Sequence, residues 1–265
     1  NGIVIVDKPQ GWTSQDVTAR LRRVFNTRRI GHGGTLDPMA TGVLPVFVGR
    51  GTRGVEFFEH AEKTYETLLR LGLTTDTEDV WGETLEERPV EVTAEKLESV
   101  LESFRGEILQ VPPMYSALKV NGQKLCDLAR KGKEVERKAR SITIYELELL
   151  EQVNDTDYLI RCVCSKGTYI RTLCADIGAK LGCGGAMAAL QRVQTGSFTL
   201  EDAYTIEDLE KFAQEFYGTE APGDYKNPKN ALNQYIAYHI IDREQEMTGS
   251  TYMLLHIFLL MAMNN

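Results

Sequence analysis

Apolar residues along the first two hundred positions recur at two spacings, and the spacings mark out strands and helices. Gly2 to Val6 is a short apolar run stopped by the turn residues Asp7-Lys8-Pro9-Gln10-Gly11, which predicts a strand. Thr13-Ser14-Gln15-Asp16 has the order of a capping box, and Val17, Leu21 and Val24 behind it make the stripe of a helix. Val43 to Val48 is continuously apolar and predicts a buried strand. Helical character returns from Val55 to Ala61. Next comes a strand beginning at Lys63, with Tyr65, Thr67, Leu69, Leu71 and Leu73 on one face. Leu97, Val100, Leu101 and Phe104 predict a helix over 93–105, capped by Thr93 and closed by Gly106. Ile142–Leu150 and Tyr158–Cys164 read as two strands around Asn154-Asp155-Thr156. A helix with the face Ile170, Leu173, Cys174, Ile177 and Leu181 then ends at Gly182. A short helix is expected from Ala186 to Leu190, and another starts at Thr205.

Strands and helices interleave without a regular βαβ repeat, which indicates a mixed α+β fold. Past Tyr217 the pattern changes to a polar stretch, residues 218–233, and then an almost wholly apolar run from Tyr252 to Met263. Twelve residues do not span a bilayer. A packed helix, a partner surface and a damaged reading frame all fit that run. The opening apolar run is too short for a signal peptide.

Charge changes the picture more than bulk composition does. The 265 residues are 42% apolar and 26% charged, as in ordinary globular proteins, and the net charge is −8. That total hides two basic blocks, residues 1–53 and 119–140, each with 8 Lys or Arg against 3 Asp or Glu. Two basic blocks on an acidic background can serve as a footprint for phosphates. The five cysteines, at 126, 162, 164, 174 and 183, form no Cys-x-x-Cys pair, so neither a disulfide framework nor a zinc site is indicated. Cys162 and Cys164 share a strand face and are expected to be buried, which fits a reducing cytoplasm.

Two apparent ligand sites fail on spacing. Gly49-Arg50-Gly51-Thr52-Arg53 lacks the Gly-Lys-Ser/Thr ending of a phosphate loop. The acidic run Thr74-Thr75-Asp76-Thr77-Glu78-Asp79 does not have the twelve-residue calcium spacing.

The candidate chemistry sits in Gly31-His32-Gly33-Gly34-Thr35-Leu36-Asp37-Pro38-Met39-Ala40-Thr41-Gly42. Glycines let the backbone turn sharply, and Pro38 biases Asp37 toward an extended conformation. The bland interpretation is a glycine-rich turn with a solvated Asp37. The run, however, resembles the signature of the TruB family, bacterial tRNA pseudouridine synthases that act on the T-loop uridine. So do Lys8-Pro9-Gln10-Gly11-Trp12-Thr13-Ser14, Lys63-Thr64-Tyr65, Pro112-Pro113-Met114-Tyr115-Ser116-Ala117-Leu118-Lys119, and Ser165-Lys166-Gly167-Thr168-Tyr169-Ile170-Arg171. The resemblance covers roughly residues 2–210.

The resemblance implies a pseudouridine synthase fold, a mostly antiparallel central sheet flanked by helices. It places the catalytic domain at 1–210, with an RNA-gripping insertion at about 105–140, and an atypical segment at 211–265 where the family commonly carries a small PUA-type domain. It makes Asp37 the catalytic nucleophile. Tyr65 stacks on the target base and assists proton removal. Arg171 pairs with Asp37, whereas from its place in the first turn, off the apolar face, it would read as solvated. His32 occupies the space beside a flipped base, and Leu190 packs on that base. Lys63, Lys166, Arg130, Lys131 and Lys133 contact the substrate RNA. In place of the family's Leu-Arg-Arg this chain has Leu190-Gln191-Arg192, one basic residue fewer. Lys8 has no assigned role. No cofactor or metal is implied, and the expected partner is the tRNA T stem-loop, bound by a monomer in the cytoplasm without membrane or obligatory protein partner. A non-catalytic RNA-binding or tRNA-folding protein, an RNA-guided synthase and a generic nucleotide enzyme are the alternatives.

Overall fold

The computed structural model describes residues 1–218 apart from Ala117, Asn121 and Glu134. The expectations for residues 219–265, the apolar run Tyr252 to Met263 included, lie outside the described residues. In chain order the elements are β1 (Gly2–Lys8), α1 (Ser14–Val24), β2 (Ile30–His32), β3 (Thr41–Val48), α2 (Val55–Glu59), β4 (Lys63–Leu71), β5 (Leu73–Thr75), β6 (Thr84–Glu87), α3 (Ala94–Glu102), β7 (Gly106–Gln110), β8 (Lys119–Val120), β9 (Gln123–Lys124), α4 (Leu125–Ala129), β10 (Arg140–Gln152), β11 (Asp157–Cys164), α5 (Ile170–Leu181), β12 (Gly185–Thr195), β13 (Phe198–Thr199) and α6 (Ile206–Gly218). The architecture is mixed α+β with mostly antiparallel pairing and flanking helices, as the interleaved pattern predicts. The chain forms two units, Asn1–Ala61 with Arg192–Asn265, and Glu62–Gln191.

In the first unit β1 pairs antiparallel with β3 along its whole length, from Gly2 opposite Val48 to Lys8 opposite Gly42. β2 pairs with the far end of β3, His32 opposite Val46. The capping box of α1 forms as its sequence predicts: the Asp16 amide donates to Thr13 Oγ1 and the Thr13 amide to Asp16 Oδ2. Val17 and Leu21 of its stripe are fully buried. Phe47 meets Phe58 edge-on, and Phe58 stacks on Phe198. Gly42 has φ +99°, and a Cβ there would lie 2.2 Å from the Arg192 carbonyl oxygen, so the end of β12 passes too close for a side chain.

In the second unit β4, β11, β10 and β7 follow one another as antiparallel neighbours, with Tyr65 opposite Cys162, Ile144 opposite Cys164, and Ile142 opposite Ile108. β4 alternates as expected: Lys63, Tyr65, Thr67, Leu69 and Leu71 are buried and the residues between them half-buried. Leu73 does not continue that face, because the strand ends at Leu71 and Leu73 opens the β5–β6 hairpin. Helix α5 ends at Gly182, which takes the left-handed conformation (φ +86°) of a C-cap. Cys162, Cys164, Cys174 and Cys183 are buried, and burial pushes the Cys174 thiol up to about 12. Among the described residues no helix is long and apolar enough to cross a membrane.

The structure corrects the helix expected from Ala186 to Leu190. These residues lie in β12. Ala and Leu favour a helix locally, but tertiary hydrogen bonds override a propensity worth a few tenths of a kcal/mol per residue. Thr67 Oγ1 donates to the Ala189 carbonyl at 2.7 Å, the Met187 amide to Glu78 O at 3.0 Å, and the Val80 amide to Met187 O at 3.0 Å. Strand β7 was also hidden, since Gly106 looked like the end of a helix; α3 stops earlier, at Glu102, and Gly106 starts a strand.

Helix α5 approaches β12 most closely at Gly178, where a Cβ would sit 2.1 Å from the Gly185 amide nitrogen. Gly178→Ala is therefore expected to cost about 1–3 kcal/mol through forced separation of backbone from backbone. Urea unfolding should show a lower midpoint with an unchanged m-value.

Candidate active site

The turn carrying Asp37 is held on both sides by groups from the opening motif. Before it, the Leu36 amide donates to Ser14 Oγ at 2.9 Å, and Ser14 Oγ faces Leu36 O at 3.3 Å. After it, the Ala40 amide closes a turn on Asp37 O at 3.1 Å, with Pro38 at the second position. The Pro38 carbonyl accepts from the Gly11 amide at 2.8 Å and from Lys8 Nζ at 3.1 Å. Lys8 Nζ also donates to Ala40 O at 2.5 Å and Pro9 O at 2.9 Å. Asp37 itself is half-buried.

Lys8 is completely buried. Burial pushes its ammonium down to about 8, and the charge of Asp37 is the largest influence in the other direction. Arg192 is buried as well, donating from Nε to Val43 O at 2.7 Å and from Nη2 to Gly34 O at 3.3 Å. The basic residue at the end of the Leu190-Gln191-Arg192 run thus supports the loop from inside. His32 lies at the head of this loop, its Nε2 3.3 Å from the Gln15 side-chain nitrogen. Burial first, and Arg192 second, hold the imidazole pKa below its ordinary value, and the Gly34 backbone acts in the opposite sense.

The other expected residues lie in the second unit. Tyr65 is buried on β4, and Leu190 is buried on β12. Lys63 heads β4 and is buried rather than displayed. Lys166 is exposed in the turn before α5, and Arg130, Lys131 and Lys133 are exposed after α4. Arg130 stands 3.6 Å from Asp127 on its own helical turn.

Arg171 is 5% exposed, which overturns its solvated appearance. Its guanidinium donates from Nη1 to Thr77 O at 3.1 Å and from Nη2 to Tyr115 O at 2.8 Å, and Asp79 Oδ2 lies 3.6 Å from Nη1. Asp79 is itself oriented by Thr77 Oγ1 at 2.7 Å and the Trp81 amide at 3.1 Å. Gln110 fixes the entry to α5 with a paired bond: its Nε2 donates to Tyr169 O at 3.0 Å and its Oε1 accepts from the Tyr169 amide at 2.8 Å. Lys8, Ser14, Asp79, Gln110 and Arg192 escaped the sequence-based assignment. A lysine and a serine inside a run that already resembled a family motif were the available signal for two of them. Nothing in the sequence pointed to the buried Gln110. Among the described residues, no group of His, Cys, Asp and Glu is arranged to hold a metal.

Comparison with known proteins places these features. Residues 22–170 match the family described as TruB family pseudouridylate synthase, N-terminal domain, and residues 171–237 match the tRNA pseudouridylate synthase B C-terminal domain. Fold and motifs together define a pseudouridine synthase. The chain is 52% identical over 218 residues to a tRNA pseudouridine synthase B of Francisella tularensis subsp. novicida, covering 81% of this chain and 72% of that one. It is 46% identical over 248 residues to one of Ralstonia pickettii, covering 92% and 76%. The chain belongs to the TruB family. Among solved structures, a crystal structure of a Cbf5-Nop10-Gar1 complex matches with TM-score 0.66 and 33% identity, over 86% of this chain and 59% of the other.

The Lys8 environment makes a prediction about pH. Between about 8 and the ordinary lysine value of 10.5 the folded protein holds fewer protons at Lys8 than the unfolded chain does. Stability from this group therefore rises with pH across that window, with a slope of at most about 1.4 kcal/mol per pH unit. Lys8→Met is expected to remove that component of the slope and to cost about 1–3 kcal/mol at neutral pH through the stranded carbonyls. Denaturant titrations of both proteins from pH 7 to 10.5 measure it.

Proposed function

We propose that this chain isomerises uridine to pseudouridine at position 55, in the T loop of tRNA, with Asp37 as the nucleophile. It acts as an enzyme on tRNA, in keeping with its family and its relatives. The observation that carries the site assignment is the Asp37 turn, whose backbone is fixed on both sides within the family's longest motif. A nucleophile held in one geometry lowers the entropic part of the barrier.

Product and substrate are isomers, so no electron acceptor has to be supplied. The N-glycosidic bond breaks, the base turns, the ribose joins C5, and the C5 proton leaves. Asp37 divides the first difficult step into easier ones by covalent attack. The base must leave the stack, and it is extruded into a pocket where Tyr65 stacks on it and Leu190 packs on it, while His32 occupies the space beside it. Tyr65 assists removal of the C5 proton. Arg171, always charged and planar, is the cation assigned to Asp37. Lys63 and Lys166 contact the substrate, and residues 105–140, with Arg130, Lys131 and Lys133, grip the stem-loop. The protein works as a monomer in the cytoplasm. An RNA-binding role without catalysis has no observation in its favour.

Asp37→Asn keeps the shape and removes the nucleophilic charge. It is expected to abolish tritium release from the C5 position of labelled tRNA while tRNA affinity stays within about tenfold, roughly 1.4 kcal/mol. Arg171→Lys should also lower turnover strongly, because a point charge does not reproduce the planar fork. Single-turnover product from Asp37→Asn, in a preparation free of host enzyme, would refute the assignment.

The basic residues are tested separately by salt. Replacing Arg130, Lys131 and Lys133 together with Ala should weaken tRNA binding and flatten the slope of log affinity against log salt concentration. An unchanged slope would make them ordinary solvated surface.

A further inference from the structure

Glu78 is one of only two non-glycine residues with positive φ among the described residues, at +65°, the other being Asn26. A non-glycine residue in that region is uncommon and is kept there only by surrounding constraints. The constraints here are specific. The Met187 amide donates to Glu78 O at 3.0 Å, and Thr172 Oγ1 donates to Glu78 Oε2 at 2.5 Å. Thr172 is buried and directly follows Arg171 in the first turn of α5. The residues on either side of Glu78 serve Arg171 itself, Thr77 through its carbonyl and Asp79 through its carboxylate. Three consecutive residues of the β5–β6 loop therefore hold two consecutive residues of the helix. The left-handed step at Glu78 separates the two jobs, one side chain for Thr172 and its neighbours for Arg171. Helix α5 has no side-chain cap of its own to fix that turn.

We propose that Glu78 is a positioning residue for the isomerisation: through Thr172 it fixes the first turn of α5 and thereby the direction of the Arg171 guanidinium. The inference rests on the assignment of Arg171 to the Asp37 chemistry. The charged groups facing Glu78 are Arg171 and Arg137, which favour its ionised form, and Asp176, which disfavours it; burial outweighs them and raises its carboxyl above the ordinary range. The Glu78 carboxylate thus depends on the Thr172 hydroxyl and on Arg171, and removing it leaves the α5 entry held by Gln110 at Tyr169 but takes away the tether on Thr172, directly beside Arg171.

The test is single-turnover tritium release at saturating tRNA, which separates rate from amplitude. A purely structural role lowers the amplitude, the folded active fraction, and leaves the rate alone. Glu78→Gln, Thr172→Val and the double variant are compared, with Glu78→Gly as the variant best suited to the backbone conformation. The expected result is a rate lowered about tenfold or more in Glu78→Gly and Thr172→Val, tRNA affinity within about threefold, and a double variant no slower than its slower parent, as for residues acting as one unit. Glu78→Gln, whose amide oxygen still accepts from Thr172, should lie between these and the wild type. Wild-type rates in both Glu78→Gly and Thr172→Val would overturn the inference while an inactive Asp37→Asn control left the parent assignment standing. Activity in that control would overturn both together.

Discussion

A buried ammonium group must be solvated by something, and Lys8 is solvated by the backbone it organises. Its three carbonyl partners are Pro9, Pro38 and Ala40, so the turn after Asp37 can relax only by stranding a charge in the protein interior. That cost is several kcal/mol for an uncompensated ion. A cation bonded only to main-chain oxygens specifies main-chain position, here that of the turn carrying Asp37. Ser14 does the same on the other side with a neutral hydroxyl. The family's opening motif is thus a set of clamps on a loop some thirty residues downstream.

Arg171 solves the matching problem in the second unit by similar means. It is buried, two of its partners are carbonyls, and its carboxylate neighbour Asp79 sits at 3.6 Å, longer than an ordinary charge-assisted hydrogen bond. The two carbonyls fix the direction of the fork.

Much of this was legible in the sequence because it rests on local rules. The Thr13 capping box, the α5 stop at Gly182 and the alternation of β4 each depend on neighbours a few residues away. Failures occurred where distant contacts decide. Ala186 to Leu190 carries helical propensity, yet Thr67 and Glu78, more than a hundred residues earlier, bind its backbone and draw it into a strand. Arg171 looked solvated because its burial depends on Thr77 and Tyr115, which no periodicity in its own helix can reveal. Lys8 looked like part of a turn because a lysine before a proline normally is one. The Asp37 loop stood out through resemblance; the groups that hold it did not, since their partners are carbonyls, which every residue has.

Carbonyl solvation of cations also explains why the Asp37 loop tolerates so much buried positive charge. Arg192 lies close enough to disfavour the charge on Lys8, and after burial it is the second influence lowering the His32 imidazole. Two buried cations with only dipoles as partners leave a net positive field, and Asp37 is the strongest opposing charge acting on Lys8. The loop therefore sets its carboxylate against the same cation that fixes the backbone of its turn.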